Sequence, residues 1–322
     1  TTTMEDAAKL HRVAAETGRT VVVGHNFLYL DPYMKLRDDV RNGLLGRIDQ
    51  VTIHWNRELE QILHGPHGGW MFNAPENGFL EVAPHSLSQM VDLMGGAPDE
   101  FHVRADRPHA IDSHRSCHRR WVADAVYGPT LVRMVWSLVP GYADHRVEVR
   151  GSLGSATADC EQWTYQRNLH SPYQTDFNRF HITRNAGKSL VRQAYGNLFR
   201  YVAEKLHLSS QGHLYAKSLR GAAEDFYGEV RGRISSSPIS LERARSAIDL
   251  TFAMVDRQMS TATNEPVEEH LEEHKGTSSD ANAIAENPAT ASGGKAVVLG
   301  ATGFIGRHLV DRLLADGRDV RV

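Results

Sequence analysis

The hydrophobic pattern changes its period near residue 48. Ahead of that point Val21, Val22 and Val23 form a continuous apolar run, whereas IDQVTIHWNRE, from Ile48 to Glu58, alternates apolar and polar residues. Alternation with period two puts every second side chain on one face, the mark of a strand half buried against a core. Further short runs follow at 99–107, 119–127, 130–138 and 145–151, with Gly and Pro turns between them, which is the spacing of an antiparallel sheet. All five tryptophans, Trp55, Trp70, Trp121, Trp136 and Trp163, belong to this region. A sheet with one helix-covered face would use them as core.

The flanking segments have the helical period. Residues 3–17 predict a helix with Thr2 or Thr3 as N-cap and Gly18 as its end. TVVVGHN then reads as a strand buried on both faces, as in a parallel sheet. Asp31-Pro32 opens a helix that Gly43 closes. A helix over 85–94 carries Leu87, Met90, Val91 and Met94 on one face, and helical segments follow at 188–207, 214–232 and 241–259. The expected fold class is α/β and α+β. Residues 1–25 are the end of a Rossmann-like domain. Residues 26–259 are a large, mostly antiparallel open sheet with helices on one face.

Residues 260–294 have a different composition. They hold seven acidic residues, one Lys and no aromatic residue. Such a segment buries too little apolar surface to offset its ordering entropy, and it reads as an acidic linker. His270 and His274 within it have helical chelating spacing, but a solvated polar run accounts for them. After the linker, AVVLG runs into Gly300, Gly303 and Gly306 and then into the helical pattern RHLVDRLLADG. Strand, glycine turn and helix N-terminus together make an anion cradle, because backbone N–H groups approach a pyrophosphate and the helix dipole favours its charge. Residues 295–322 are thus expected to be the first βα unit of a second Rossmann domain.

Charge and cysteine usage narrow the class. A net charge of −3 gives no footprint for nucleic acid. No run of 18 apolar residues spans a membrane, and neither a nucleic-acid nor a membrane partner is expected. Cys117 and Cys160 do not make a disulfide framework and suit a reducing, cytoplasmic setting, with no signal segment at the N-terminus. His64 with His67, and His114 with Cys117 and His118, lack the second matched pair of a zinc site, so no metal is expected.

Two resemblances add to this reading. GHNFLYLDPYMKLRDDVRNGLLGRI and GFLEVAPHSLSQMVDLMGG together resemble the glucose-fructose oxidoreductase/inositol dehydrogenase family, Gfo/Idh/MocA. HRVEVRGSLGSATAD looks like its later sheet motif and SAIDLTFAMVDRQM like its C-terminal helix. The resemblance implies NAD- or NADP-dependent chemistry on a sugar or nucleotide-sugar hydroxyl, and homo-oligomers formed through the open sheet. The family's Asp-x-x-x-His element aligns with Glu81 and His85, with Glu in place of Asp. It implies His85 as proton acceptor and Glu81 as an orienting carboxylate. Asn26 follows the Val run at the edge where α/β sheets bind ligands, and the resemblance brings its loop to the nicotinamide. No Glu-Lys-Pro motif occurs in the chain.

The second resemblance covers 295–322, where Gly300, Gly303, Phe304, Ile305 and Gly306 are similar to the cofactor turn of extended short-chain dehydrogenases, the epimerases and dehydratases. The chain opens on Thr1 and ends soon after that turn. It therefore reads as an internal piece of a fusion protein, inactive alone, whose whole is an oxidoreductase joined to an epimerase/dehydratase. The alternative is a non-catalytic binding or oligomerisation module whose only enzyme is the C-terminal domain.

Overall fold

The computed structural model describes residues 3–65, 67–206, 214–262, 295–297, 314 and 319–321. The chain divides into two compact units, Thr1–Pro266 and Val267–Val322.

The first unit opens with α1, Met4–Thr17. The Thr3 hydroxyl caps it by accepting from the Asp6 N–H, and Gly18 ends it with φ +61°, a conformation that costs glycine little. The Val21–Val23 run does not enter a parallel sheet. Val22 makes one antiparallel bridge to Ser240, and Val23 N–H donates to the Ile239 carbonyl. The neighbouring segment contains Pro238, which has no N–H to extend a ladder, so the pairing stays at bridge length. Then α2, Asp31–Arg41, starts with Pro32 in its first turn and stops before Gly43, at φ +69°.

Strand β1, Ile48–Asn56, is followed by the short α3, Glu60–His64, and by α4, Asn77–Met94. Helix α4 begins well before residue 85. Pro84 suggests a boundary because it cannot donate to the carbonyl one turn back. The buried stripe Phe79, Val82, Ala83, Leu87 and Met90 runs straight through it, and packing outweighs the missing bond.

The remaining strands are β2 (Glu100–Ala105), the small hairpin β3 (His109–Ala110) with β4 (Ser116–Cys117), β5 (Arg120–Tyr127), β6 (Thr130–Ser137), β7 (Asp144–Gly151), β8 (Gly154–Asp159) and β9 (Thr164–Leu169). Seven of them form one sheet in the order β2-β5-β6-β1-β7-β8-β9. Only the β1–β6 pair in it is parallel. The sheet is thus mostly antiparallel, as the alternation predicts. Neither β9 nor the start of α5 was expected from the pattern. Helix α5, Thr175–Lys205, runs thirteen residues further back than the expected 188, through a stretch whose polar residues blur the period. Two more helices, α6 (Leu214–Val230) and α7 (Leu241–Ala262), complete the unit.

The core lies on one face of the sheet. Val51 and Ile53 of β1, Ala123 and Ala125 of β5, Val132 and Met134 of β6 and Val147 of β7 point inward beneath the helices. Cross-strand register sets Trp121 beside Trp136, Trp136 beside Trp55, and Trp55 beside His145, one row across four strands. Phe79 of α4 stacks on Trp121 with ring centroids 4.2 Å apart and meets Trp136 edge-on at 5.0 Å. Four of the tryptophans are buried, but Trp70 is 39% exposed in a short turn outside the sheet, and so is not core. The outer face carries Val122 and Leu131 exposed, with Arg133 paired to Asp124 at 2.7 Å.

In the second unit, β10 (Lys295–Val297) pairs in parallel with β11 (Asp319–Arg321). Most of the expected linker, and the turn with Gly300, Gly303, Phe304, Ile305 and Gly306, lie outside the described residues.

Candidate active site

The tryptophan row ends at His145, and the site is built above that end. Helix α4 crosses the row with Phe79 over the tryptophans. Because the helix continues unbroken, His85 and Gln89 come down one and a half and nearly three turns later, beside the loop from His25 to Tyr29. Phe27 lies between two imidazoles, with its ring centroid 4.6 Å from His85 and 4.7 Å from His145. His25 meets His85 edge-on at 6.2 Å. Gln89 ties these parts together. Its Oε1 accepts from His145 Nε2 at 3.2 Å, and its Nε2 donates to the Phe27 carbonyl at 3.4 Å. That contact fixes His145 as the tautomer protonated on Nε2, since an amide oxygen can only accept.

All three imidazoles are held neutral. Burial drives the pKa of His85 down to about 4. Burial first, and repulsion from His85 second, drive His25 and His145 to about 3. Removing water penalises the charged ring, and neighbouring rings penalise it further. His85 Nδ1 and His25 Nε2 are both buried without a hydrogen-bond partner. An orphaned buried nitrogen is costly, and two of them at one point mark a place built for a polar group from outside. His25 also lines a cleft of about 520 Å³ with Ser88, Asp92, Glu242 and Arg243.

Glu81 and His85 share a face of α4 one turn apart, as their spacing predicts for a helix. Glu81 is exposed, yet nearby protein raises its carboxyl pKa by desolvation. Asn26 is placed differently. It is 1% exposed, and its amide donates to Ser218 Oγ at 3.0 Å, so it anchors the loop to α6. Two of the four histidines considered as zinc ligands have other contacts. His67 Nε2 reaches the Ile62 carbonyl, and His118 Nδ1 the Asp106 carbonyl. Among the described residues no three His, Cys, Asp or Glu side chains converge on a metal-sized point.

The sequence reading missed His25, Phe27, Gln89 and His145. His145 carried a signal: it occupies an inward position of the alternating run HRVEVRG, where a polar residue needs an explanation.

The site thus lies where a half-buried histidine of the crossing helix meets one end of a seven-stranded, mostly antiparallel sheet. Residues 33–157 match the GFO/IDH/MocA C-terminal domain. Solved structures agree in fold. The WlbA dehydrogenase from Bordetella pertussis, in complex with NADH and UDP-GlcNAcA, superposes with a TM-score of 0.57 at 13% identity, over 81% of this chain and 68% of that one. UDP-N-acetylglucosamine 3-dehydrogenase GnnA from Acidithiobacillus ferrooxidans gives 0.53 at 12% identity, over 81% and 68%. Aldose-aldose oxidoreductase from Caulobacter crescentus, complexed with glycerol, gives 0.55 at 11%, over 81% and 68%. No curated protein sequence matches the chain. At these identities the likeness establishes the fold alone. No described helix is long and apolar enough to cross a membrane.

Proposed function

We propose that this chain supplies the hydroxyl-binding and proton-transferring part of an NAD- or NADP-dependent oxidoreductase acting on a sugar or nucleotide-sugar. The observation that carries this reading is the unpartnered, buried Nδ1 of His85, on a ring packed beside the loop that starts at His25. Oxidising a secondary alcohol removes a hydride from carbon and a proton from oxygen. A nicotinamide supplies the hydride acceptor when bound. The described residues fit the proton side alone, since none of them forms a glycine turn able to cradle a dinucleotide pyrophosphate.

His85 accepts the hydroxyl proton on Nδ1. Burial leaves it neutral at pH 7 but weakly basic, so the transfer requires a bound substrate or the Glu81 carboxylate to stabilise the imidazolium as it forms. Glu81, one turn earlier, orients the substrate or the ring and offsets the imidazolium charge once it forms. Phe27 and His145 hold the ring plane from below, and Gln89 fixes both. The nucleotide-sugar preference rests on fold relatives that act on or bind such compounds, so it is the outermost part of the proposal. The outer face of the sheet, with Val122 and Leu131 exposed, is the surface through which copies would associate. The glycine spacing of the sequence is the basis for reading 295–322 as the start of an epimerase/dehydratase-like domain; the β10–β11 pair is parallel, as in any βα unit.

The test is oxidation of a panel of sugars and nucleotide-sugars with NAD or NADP, by a polypeptide joining this chain to a complete nucleotide-binding domain. Turnover that survives His85→Asn unchanged would assign the fold to the other reading, a binding module without chemistry.

A further inference from the structure

The turn between β8 and β9 is fixed from two sides. Asp159 Oδ1 accepts from the N–H groups of Glu161 and Gln162. The Asn197 amide of α5 donates to the Gln162 carbonyl at 3.3 Å and the Trp163 carbonyl at 3.4 Å. One helical turn earlier, Gln193 accepts from the Tyr165 N–H and donates to the Tyr165 carbonyl, both at 2.8 Å, so α5 closes the free edge of β9. Trp163 is held between these contacts at φ +55°, the one non-glycine residue with a positive φ among the described residues. A bulky side chain keeps that conformation only where its surroundings over-determine it, and such positions gather at ligand sites.

Trp163 lines a cleft of about 460 Å³ between α2 and α5. It is buried, and its Nε1 has no acceptor. Three cations line the same cleft: Lys35 of α2, and Arg192 and Arg200 of α5. Arg192, Gly196 and Arg200 follow one another a turn apart. A side chain at Gly196 would meet nothing, so the cleft is open between the two arginines. Among the described residues none of the three cations is paired with a carboxylate, because the acids around them are taken. Asp31, in the cleft, lies 2.6 Å from Lys217, and Asp39, one turn from Lys35, lies 2.7 Å from Arg167.

A single surface cation is served by water. Three of them from two elements, gathered at one concavity in a chain of net charge −3, repel one another and focus a positive potential there. A bound anion removes that repulsion. Guanidinium forks match phosphate oxygens in bidentate pairs, and a lysine adds a point charge. We propose that the cleft between α2 and α5 binds a phosphate-bearing anion of the diphosphate class, with Arg192 and Arg200 as its main contacts and Lys35 across from them. This site stands independently of proton transfer at His85.

The experiment is titration calorimetry of the full 322-residue chain at low ionic strength with inorganic phosphate, pyrophosphate and UDP. Pyrophosphate is expected to bind more tightly than phosphate, and more weakly as salt rises. Arg192→Gln and Arg200→Gln should each weaken it about tenfold, the scale of a charge-assisted hydrogen bond. Gly196→Asp should abolish binding by setting a carboxylate between the arginines, while the circular-dichroism melt stays unchanged. Equal affinity for pyrophosphate and UDP assigns recognition to the diphosphate alone, and tighter binding of UDP assigns it to a nucleotide; both support the site. Absence of binding to pyrophosphate and UDP overturns the proposal, as does unaltered binding when Arg192→Gln and Arg200→Gln are combined. Binding lost in Gly303→Val and kept in that double variant overturns it too, and assigns the anion to the glycine turn at 300–306.

Discussion

The imidazole of His85 stands perpendicular to that of His25, at 88° with 6.2 Å between centroids, and each ring keeps one buried nitrogen unpaired. Charging both rings at once is disfavoured, and His145, buried like His25, adds a third ring beside the half-buried His85. All three have folded pKa values, about 4, about 3 and about 3, below the ordinary 6.5 of the unfolded chain.

The pH dependence of stability follows in sign. Between the folded and unfolded pKa values the unfolded chain binds more protons, so stability rises with pH and is lost as pH falls. The contribution is complete above about pH 6.5 and declines steadily toward about pH 4. Melting temperature measured across that window should drop, and the drop should be shallower in His145→Asn. A flat profile from neutral to about pH 5 would mean the three rings are not buried as a group.

Phe79 is the contact between α4 and the tryptophan row. It is fully buried, stacked on Trp121 and edge-on to Trp136. Phe79→Ala should cost about 3–5 kcal/mol in denaturant unfolding, because it removes a large side chain and leaves a cavity. A loss below about 1 kcal/mol would show that the helix does not rest on the sheet at this point.

Gln89 joins His145 to the Phe27 carbonyl, and Tyr33 donates to its own carbonyl at 3.1 Å. Gln89→Leu keeps the volume and strands two polar partners in the interior. A destabilisation of about 1–3 kcal/mol is expected from the unsatisfied groups. If turnover is measurable, kcat should fall more than KM rises, since the lost contact orients the rings beside His85 and touches no substrate. An unchanged kcat would confine Gln89 to folding.

Much of the sheet was legible because alternation is a local signal. Ile48–Asn56, Arg120–Tyr127 and Thr130–Ser137 each bury every second residue, and the sequence shows it directly. What failed was set by distant neighbours. Val21–Val23 reads as a parallel-sheet strand, but among the described residues its partner is the segment around Pro238, in an antiparallel bridge. Pro84 reads as a helix start, but the apolar stripe on both sides of it carries the helix through. Helix α5 has too weak a period to show an inward face, and the hydrogen bonds of Gln193 and Asn197 reveal which side meets the protein. In the proposed site, Glu81 and His85 were singled out by the resemblance to the family's Asp-x-x-x-His element. His25, Phe27 and His145 come from two other segments, and sheet register together with the helix crossing brings them to His85.

The most direct test concerns the proton acceptor. In a polypeptide joining this chain to a complete nucleotide-binding domain, turnover of a nucleotide-sugar with NAD or NADP is compared for the native sequence, His85→Asn and Glu81→Gln. The account predicts a loss of roughly 10²-fold or more for His85→Asn, the scale of acid–base catalysis, with the melting temperature little lowered. It predicts a smaller loss for Glu81→Gln, because an orienting carboxylate stands further from the moving proton. Native turnover in His85→Asn, or a larger loss from Glu81→Gln than from His85→Asn, would contradict it.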